Sequence, residues 1–325
     1  MKGSNKEKRS KVWLREENSA AELAARKKRR RMFKNQLSLH AMMMPMVILA
    51  FIFSIVPLFG LIMAFQEFES VQGIWRSKFV DIYQFKVLFE RPDFLRVFFN
   101  TVYIAVWKIV LVTVLSIVTA LLINEVRTKS VKKAMQTIIF LPYFLSWALI
   151  GSIFVEMFSL QGTINYITGR FGAEPVYFIA DNGYFRAIII GTDLWKNLGY
   201  QAVVFLAAIS TVDPSLYEAA TIDGANHWQL CRFITIPGIK TMIVLIAVLN
   251  MGNIMNAGFE QILVMYSPSV YKTGDILDTL AYRVGLLSRQ YSQGAAIGLF
   301  KSVISCIFFA LSYRLAYRIN GYKIF

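Results

Sequence analysis

In a chain of 325 residues where 56% are hydrophobic and 17% charged, the side chains able to do chemistry gather in three places. The first is Asp213–Pro237, where Glu218 stands beside Ala219 and Ala220, followed by Asp223, Gly224 and Ala225 and then by Phe233, Ile236 and Pro237. Glu218 can accept a charge-assisted hydrogen bond from an arginine of another protein. The alanines leave a surface without bulk, which lets that protein's backbone come close. The second place is the run Asn250, Asn253, Asn256, Phe259, Glu260 and Gln261, and the third is Asp193, Lys196, Asn197, Tyr200 and Gln201. Amides and carboxylates supply the donors and acceptors that sugar hydroxyls need. Trp195, Tyr200 and Phe259 add flat apolar faces on which a sugar ring can stack, the usual mixture in a concave site. At about 3.6 residues per turn, each set gathers on one side of a helix. Contact with a second membrane subunit is the competing reading of the same residues, and Asp193 and Lys196 can also lie near the membrane surface or pair with each other.

Other chemistries lack their residues. No G-x-x-x-x-G-K-[ST] phosphate loop occurs, so ATP cannot be held in that way. The two histidines, His40 and His227, and the two cysteines, Cys231 and Cys306, form no metal or disulfide pattern. His227 and Cys231 share a loop at i,i+4 spacing, which any helix produces, and no nucleophile set surrounds them. The chain is expected to be a non-enzyme that binds no cofactor or metal of its own.

The elements that must position these groups are apolar blocks of bilayer length. Six are predicted, at His40–Phe65, Phe98–Ile123, Ala134–Phe158, Phe185–Ile209, Ile239–Met265 and Gly294–Tyr317. The fold expected is an all-α polytopic membrane protein of about six transmembrane helices. Residues 1–38 would form a basic cytoplasmic extension and 39–325 the membrane domain. The formal net charge of +15 is concentrated at the start, where Met1–Lys34 carries an excess of nine positive charges including Arg26–Arg31. Basic clusters beside a first span mark the cytoplasmic side and meet anionic lipid; the remaining charge forms no stripe, so no nucleic-acid partner is expected. Arg30-Arg31 reads as a topology anchor, and the first apolar block is too long for a cleaved signal. Arg127, Lys129, Lys132 and Lys133 between blocks two and three, and Arg314, Arg318 and Lys323 after block six, place both termini and the even-numbered loops in the cytoplasm. Among the external loops, Ser267–Gln293 repeats Ile276, Leu277, Leu280, Val284 and Leu287 at helical spacing. That predicts an amphipathic helix, packed on the span ends or offered to an external partner.

The loop Asp213–Pro237 reads as a helix-turn-helix on the cytoplasmic face. Asp213 suits an N-cap and Pro214 the first helical position. Asp223-Gly224 suits a helix end, and a second short helix is expected to stop at Pro237. The pattern E-A-A-x-x-D-G-A followed by F-x-x-I-x-P resembles the cytoplasmic signature of inner-membrane permeases of binding-protein-dependent ABC importers. It is matched by Glu218, Ala219, Ala220, Asp223, Gly224, Ala225, Phe233, Ile236 and Pro237. Leu141–Trp147, Asp193–Gly199 and Asn256–Gln261 resemble the carbohydrate branch, the maltose-type first permease and its oligosaccharide-importing relatives. The resemblance covers about residues 40–325 and leaves the basic extension unexplained.

The resemblance implies that the loop is a coupling helix inserted in a groove of a separate ATPase dimer, which binds the ATP and Mg. A second homologous permease, an extracytoplasmic solute-binding protein and membrane lipid are the other implied partners. The substrate, an oligosaccharide, would pass by alternating access along Asn197, Tyr200, Gln201, Asn253, Asn256, Phe259, Glu260 and Gln261. A secondary transporter or channel, or an importer of a non-sugar solute, is the alternative.

Overall fold

The computed structural model describes residues 36–37 and 39–320; the basic extension, the twin arginines and Lys323 lie outside the described residues. Two compact units divide the chain, Met1–Leu61 and Ile62–Phe325. The first unit contains most of the helix Leu39–Phe65 (α1), which has the length and apolarity to cross a membrane.

The second unit opens with a two-residue ladder of Gln66–Glu67 (β1) against Lys78–Phe79 (β2) and a short helix, Tyr83–Glu90 (α2). Phe94–Glu125 (α3) and Tyr291–Asn320 (α15) are long enough to span unaided. Counting each bent helix pair as one span gives up to six, and helix dominates the unit. Phe185–Ile209 (α7) has the predicted limits. It pairs along its length with α3, where Ser116 Oγ donates to Leu198 O at 2.9 Å. Ala120, Ile123, Phe205 and Ile209 close one end of this pairing, while Ile104, Ala105, Ile188 and Ile189 belong to a larger core.

Spans three and five differ from the continuous helices expected. Span three is Lys129–Phe140 (α4), a 3-10 turn Leu141–Phe144, and Trp147–Met157 (α5), with a bend of 95° between its halves. Pro142 supplies no N–H to the ladder. Ser146 then starts α5 as its N-cap, accepting from Leu149 N at 3.3 Å. Span five is Lys240–Gly252, a non-helical stretch at 253–258, and Phe259–Met265. Asparagine side chains compete for backbone partners: Asn253 Nδ2 donates back to Leu249 O at 3.2 Å. Gly258 takes φ +95°, which ends one segment and starts the next. The single helical face expected for Asn253, Asn256, Glu260 and Gln261 is therefore corrected, because the helix on which it was drawn is interrupted at those residues.

The remaining elements frame these spans. They are Thr163–Gly169 (α6), the loop helices Pro214–Ile222 (α8), His227–Leu230 (α9) and Ile236–Gly238 (α10), the two halves of span five (α11 and α12), Tyr271–Gly274 (α13) and Leu277–Ala281 (α14). The amphipathic stretch predicted in the loop before span six is α14 plus a π turn, Tyr282–Leu287. Ile276, Leu277, Leu280 and Val284 are buried in the main core, and Leu287 is exposed. Packing on the span ends accounts for most of that stripe. Beneath it, Arg283 reaches Asp275 at 2.6 Å and lies over the Tyr271 ring at 4.3 Å. Burial pushes the Tyr266 hydroxyl up to about 12, with Tyr271 and Asp275 adding to the effect.

Candidate functional site

Residues at the breaks of both spans, together with residues of α3 and α7, line one cavity of about 300 Å³. Tyr143 from the break in span three lines it, as do Asn253, Asn256 and Gly258 from the break in span five. Asn250, Lys108, Asp193, Asn197, Tyr200 and Gln201 complete its polar wall. Tyr143 and Tyr200 stack with ring centres 4.5 Å apart and planes 11° from parallel. Gln201 Oε1 is buried without a protein partner, an unmet acceptor beside the cavity.

Five of the eight residues predicted for a substrate path therefore come together: Asn197, Tyr200, Gln201, Asn253 and Asn256. The other three are placed elsewhere. Gln261 is fully buried and donates to Ile189 O and Thr192 Oγ1, both at 2.8 Å. Phe259 packs on Tyr282 with ring centres 5.7 Å apart, and Glu260 is exposed outside the cavity lining. Trp195, a stacking candidate, meets Phe154 edge-on in a separate apolar groove. Asp193 and Lys196 do not form the pair considered for them. Asp193 Oδ1 instead lies 3.3 Å from Lys108 Nζ.

Lys108 is the residue that sequence reasoning passed over. It is the single charged residue of the predicted span Phe98–Ile123, and an ionisable group at such a position is a signal in itself. Its ammonium donates to Ala257 O at 2.8 Å and to Gln261 Oε1. Lys196 does the equivalent at the other break, donating to Tyr143 O at 2.8 Å, to Pro142 O at 3.4 Å and to Leu145 O. Three motifs far apart in the chain thus come together: Leu141–Trp147 is the first break and Asn256–Gln261 the end of the second, while Asp193–Gly199 holds the first through Lys196 and reaches the second through the Asp193–Lys108 pair. Gly199 belongs to the same design, since a Cβ there would overlap the Ile139 carbonyl of α4.

The second site is the loop after span four. Asp213 caps α8, accepting from Ser215 N at 2.9 Å. That bond holds its carboxyl below the usual carboxylate range. Pro214 stands at the first helical position. At the other end Gly224 has φ +80°, Ala225 N donates to Ala220 O at 2.9 Å, and Gly224 N donates to Thr221 O at 3.1 Å. These are the two reversed bonds of a Schellman ending. Asn226 and Gln229 then form a capping box at the start of α9.

Pro237 does not stop the second helix as expected. A π turn at Cys231–Thr235 precedes it and the chain stays helical to Gly238. The wider turn admits a residue without an N–H. Tyr217 and Thr235 hydroxyls meet at 3.0 Å across the two arms, and His227 Nδ1 lies 3.0 Å from Glu125 at the end of α3. Ala220, Asp223, Gly224, Ala225 and Phe233 line a shallow cleft. Glu218 and Ala219 are exposed beside it, and Ile236 and Pro237 lie on the exposed side of the second arm. Ile222 is 86% exposed, Trp228 68% and Phe233 67%, an apolar surface of the kind that marks an interface.

A helical bundle with two broken spans lining a polar cavity and a capped helical loop exposing apolar side chains has the form of a membrane transport subunit. Residues 112–321 match the family described as binding-protein-dependent transport system inner membrane component. The chain belongs to that family, as a multi-pass membrane transport subunit. Protein LplB of Bacillus subtilis (strain 168) is 35% identical over 83% of this chain and 85% of its own length. The polygalacturonan/rhamnogalacturonan transport system permease protein YteP of the same organism is 34% identical, over 86% of this chain and 88% of its own length. The crystal structure of a bacterial ABC transporter involved in the import of the acidic polysaccharide alginate superposes with a TM-score of 0.82. The identity is 34%, covering 88% of this chain and 97% of that one. A structure of bacterial alginate ABC transporter in complex with an alginate pentasaccharide-bound periplasmic protein aligns with the same TM-score at 33% identity, covering 90% of this chain and 98% of that one.

Proposed function

We propose that the chain forms one half of the membrane channel of an ABC importer and passes an oligosaccharide through the cavity between its two broken spans. The observation that carries this reading is the composition of that cavity. Four asparagines and a glutamine surround a stacked tyrosine pair, so hydroxyls find amide partners and the ring faces find an apolar wall. The likeness to YteP and to the alginate transporter supports a glycan as cargo.

The chain works without an ATPase site of its own. ATP and Mg bind to a separate ATPase dimer, and Glu218, Ala219, Ala220, Asp223, Gly224, Ala225, Phe233, Ile236 and Pro237 couple it to the spans. The exposed apolar residues of that loop favour a protein partner over solvent. A second permease completes the wall opposite α3 and α7. An extracytoplasmic solute-binding protein delivers the glycan, as the complex with a periplasmic protein suggests by likeness. Both termini lie in the cytoplasm, which the basic loops favour, and residues 1–38 anchor the first span to anionic lipid. ATP binding shifts the population between outward- and inward-facing states through different contacts in each.

The test is uptake into proteoliposomes holding both permeases, the ATPase and the binding protein. Uptake of a labelled oligosaccharide is expected to need ATP and to fall at limiting ATPase concentration by about tenfold or more in Glu218→Ala. Uptake independent of ATP, or unaffected by that change, contradicts the proposal.

A further inference from the structure

Resting on this transport role, we infer that Lys108 and Lys196 are positioning residues: each ammonium binds backbone carbonyls at one broken span, and the two together set the wall of the polar cavity. A buried ammonium in a bilayer is costly. Its retention calls for specific partners, and both lysines have them. The 3-10 turn after α4 interrupts the helical ladder, so its carbonyls lack the donors of a continuing α-helix, except that Pro142 O accepts from Leu145 N at 3.2 Å, and a cation is favoured there. Lys196 takes that position with three carbonyl oxygens, those of Pro142, Tyr143 and Leu145. At the other break Lys108 holds Ala257 O and the amide oxygen of Gln261, and Asp193 balances its charge. A Cβ at Gly258 would fall 2.7 Å from the Lys108 nitrogen, so the ammonium lies directly against this backbone.

The placement of these bonds separates positioning from mere stability. Both lysines project from α3 and α7, the unbroken helices that pack most extensively on each other. Both reach breaks that contribute cavity residues: Tyr143 at one, and Asn253, Asn256 and Gly258 at the other. Backbone released at membrane depth must be satisfied by neighbours. Here the neighbours are two side chains whose bases are fixed, so the irregular walls take their position from the regular helices. Without the lysine donors the breaks would be free to shift, and the amides would no longer converge.

Two double variants isolate the donor from the charge: Lys108→Gln with Asp193→Asn, and Lys108→Met with Asp193→Asn. Both are neutral, and glutamine alone keeps a donor for Ala257 O. In the complete transporter, the methionine variant is expected to need about tenfold more oligosaccharide-loaded binding protein for half-maximal uptake than the glutamine variant, at similar maximal rates. A second readout needs no transport. With Cys231→Ala and Cys306→Ala, the rate at which a small water-soluble thiol reagent modifies Asn256→Cys should be about tenfold higher in the methionine variant, the break being looser.

Equal half-saturation and equal labelling in the two variants overturn the inference. Failure of the unaltered transporter to take up any glycan would instead count against the transport reading, and the labelling would still decide this one. If the methionine variant does not accumulate, Lys196→Gln and Lys196→Met make the same comparison at the other break, read by labelling of Tyr143→Cys. Equal rates there also overturn it.

Discussion

The coupling loop and the cavity differ in how far along the chain their parts have to reach. In the loop, Asp213 bonds to Ser215, Ala225 to Ala220 and Asn226 to Gln229, all close neighbours in sequence. In the cavity, Lys108 bonds to Ala257 across 149 residues, Gln261 to Ile189 across 72, and Lys196 to Tyr143 across 53. The loop is a locally encoded part whose outer face is free for a partner. The cavity is a tertiary construction in which no segment holds its shape alone. If the loop couples to an ATPase as proposed, substitutions in the two regions should fail differently: in the cavity through loss of packing and convergence, in the loop through weaker contact with that partner.

The largest expected effect is at Gly258. Valine there would need φ near +95° and would drive its branches into the Lys108 ammonium. Gly258→Val should lower uptake per inserted transporter by at least about 100-fold, measured in proteoliposomes. Uptake near that of the unaltered protein would break the contrast drawn above. Next is Glu218→Ala, which on the proposed coupling role removes one charge-assisted hydrogen bond to the ATPase. Affinity of the solubilised permease pair for its ATPase should fall roughly 10- to 100-fold, while the amount of permease in the membrane holds. Gly224→Ala should act on the same affinity but by less, about fivefold, because alanine disfavours the left-handed turn by about 1 kcal/mol. A change larger than that of Glu218→Ala would mean that loop shape outweighs the carboxylate.

The smallest effect concerns acid. The hydrogen bond from Ser215 lowers the pKa of Asp213 from an unfolded value near 3.8. Its contribution is therefore present above that unfolded value and is lost as pH falls through the lower folded value. Thermal unfolding of the solubilised protein, scanned from pH 6 down to about pH 3, should show a slightly shallower decline in Asp213→Asn than in the unaltered protein.

The same difference in reach explains what could be read beforehand. The N-cap, the helix end at Gly224 and the family of the loop were legible because each signal lies within a few residues. The six apolar blocks were legible because bilayer thickness fixes their length. Which amides converge was legible only in part. Asn197, Tyr200 and Gln201 stand on an unbroken helix, where counting at 100° per residue holds. Phe259, Glu260 and Gln261 follow a left-handed glycine, where that count no longer applies. Lys108 lies in a span for which no site residue was predicted, and its meaning depends on a carbonyl 149 residues away.

The central claim is that cargo passes the amides of the broken spans and not the residues beyond Gly258. It is tested most directly by ligand protection of single cysteines in the complete transporter, with Cys231 and Cys306 replaced by alanine. Adding oligosaccharide-loaded binding protein and ATP should slow thiol labelling of Asn253→Cys and leave Phe259→Cys unchanged. Protection of Phe259→Cys with none at Asn253→Cys would contradict the account.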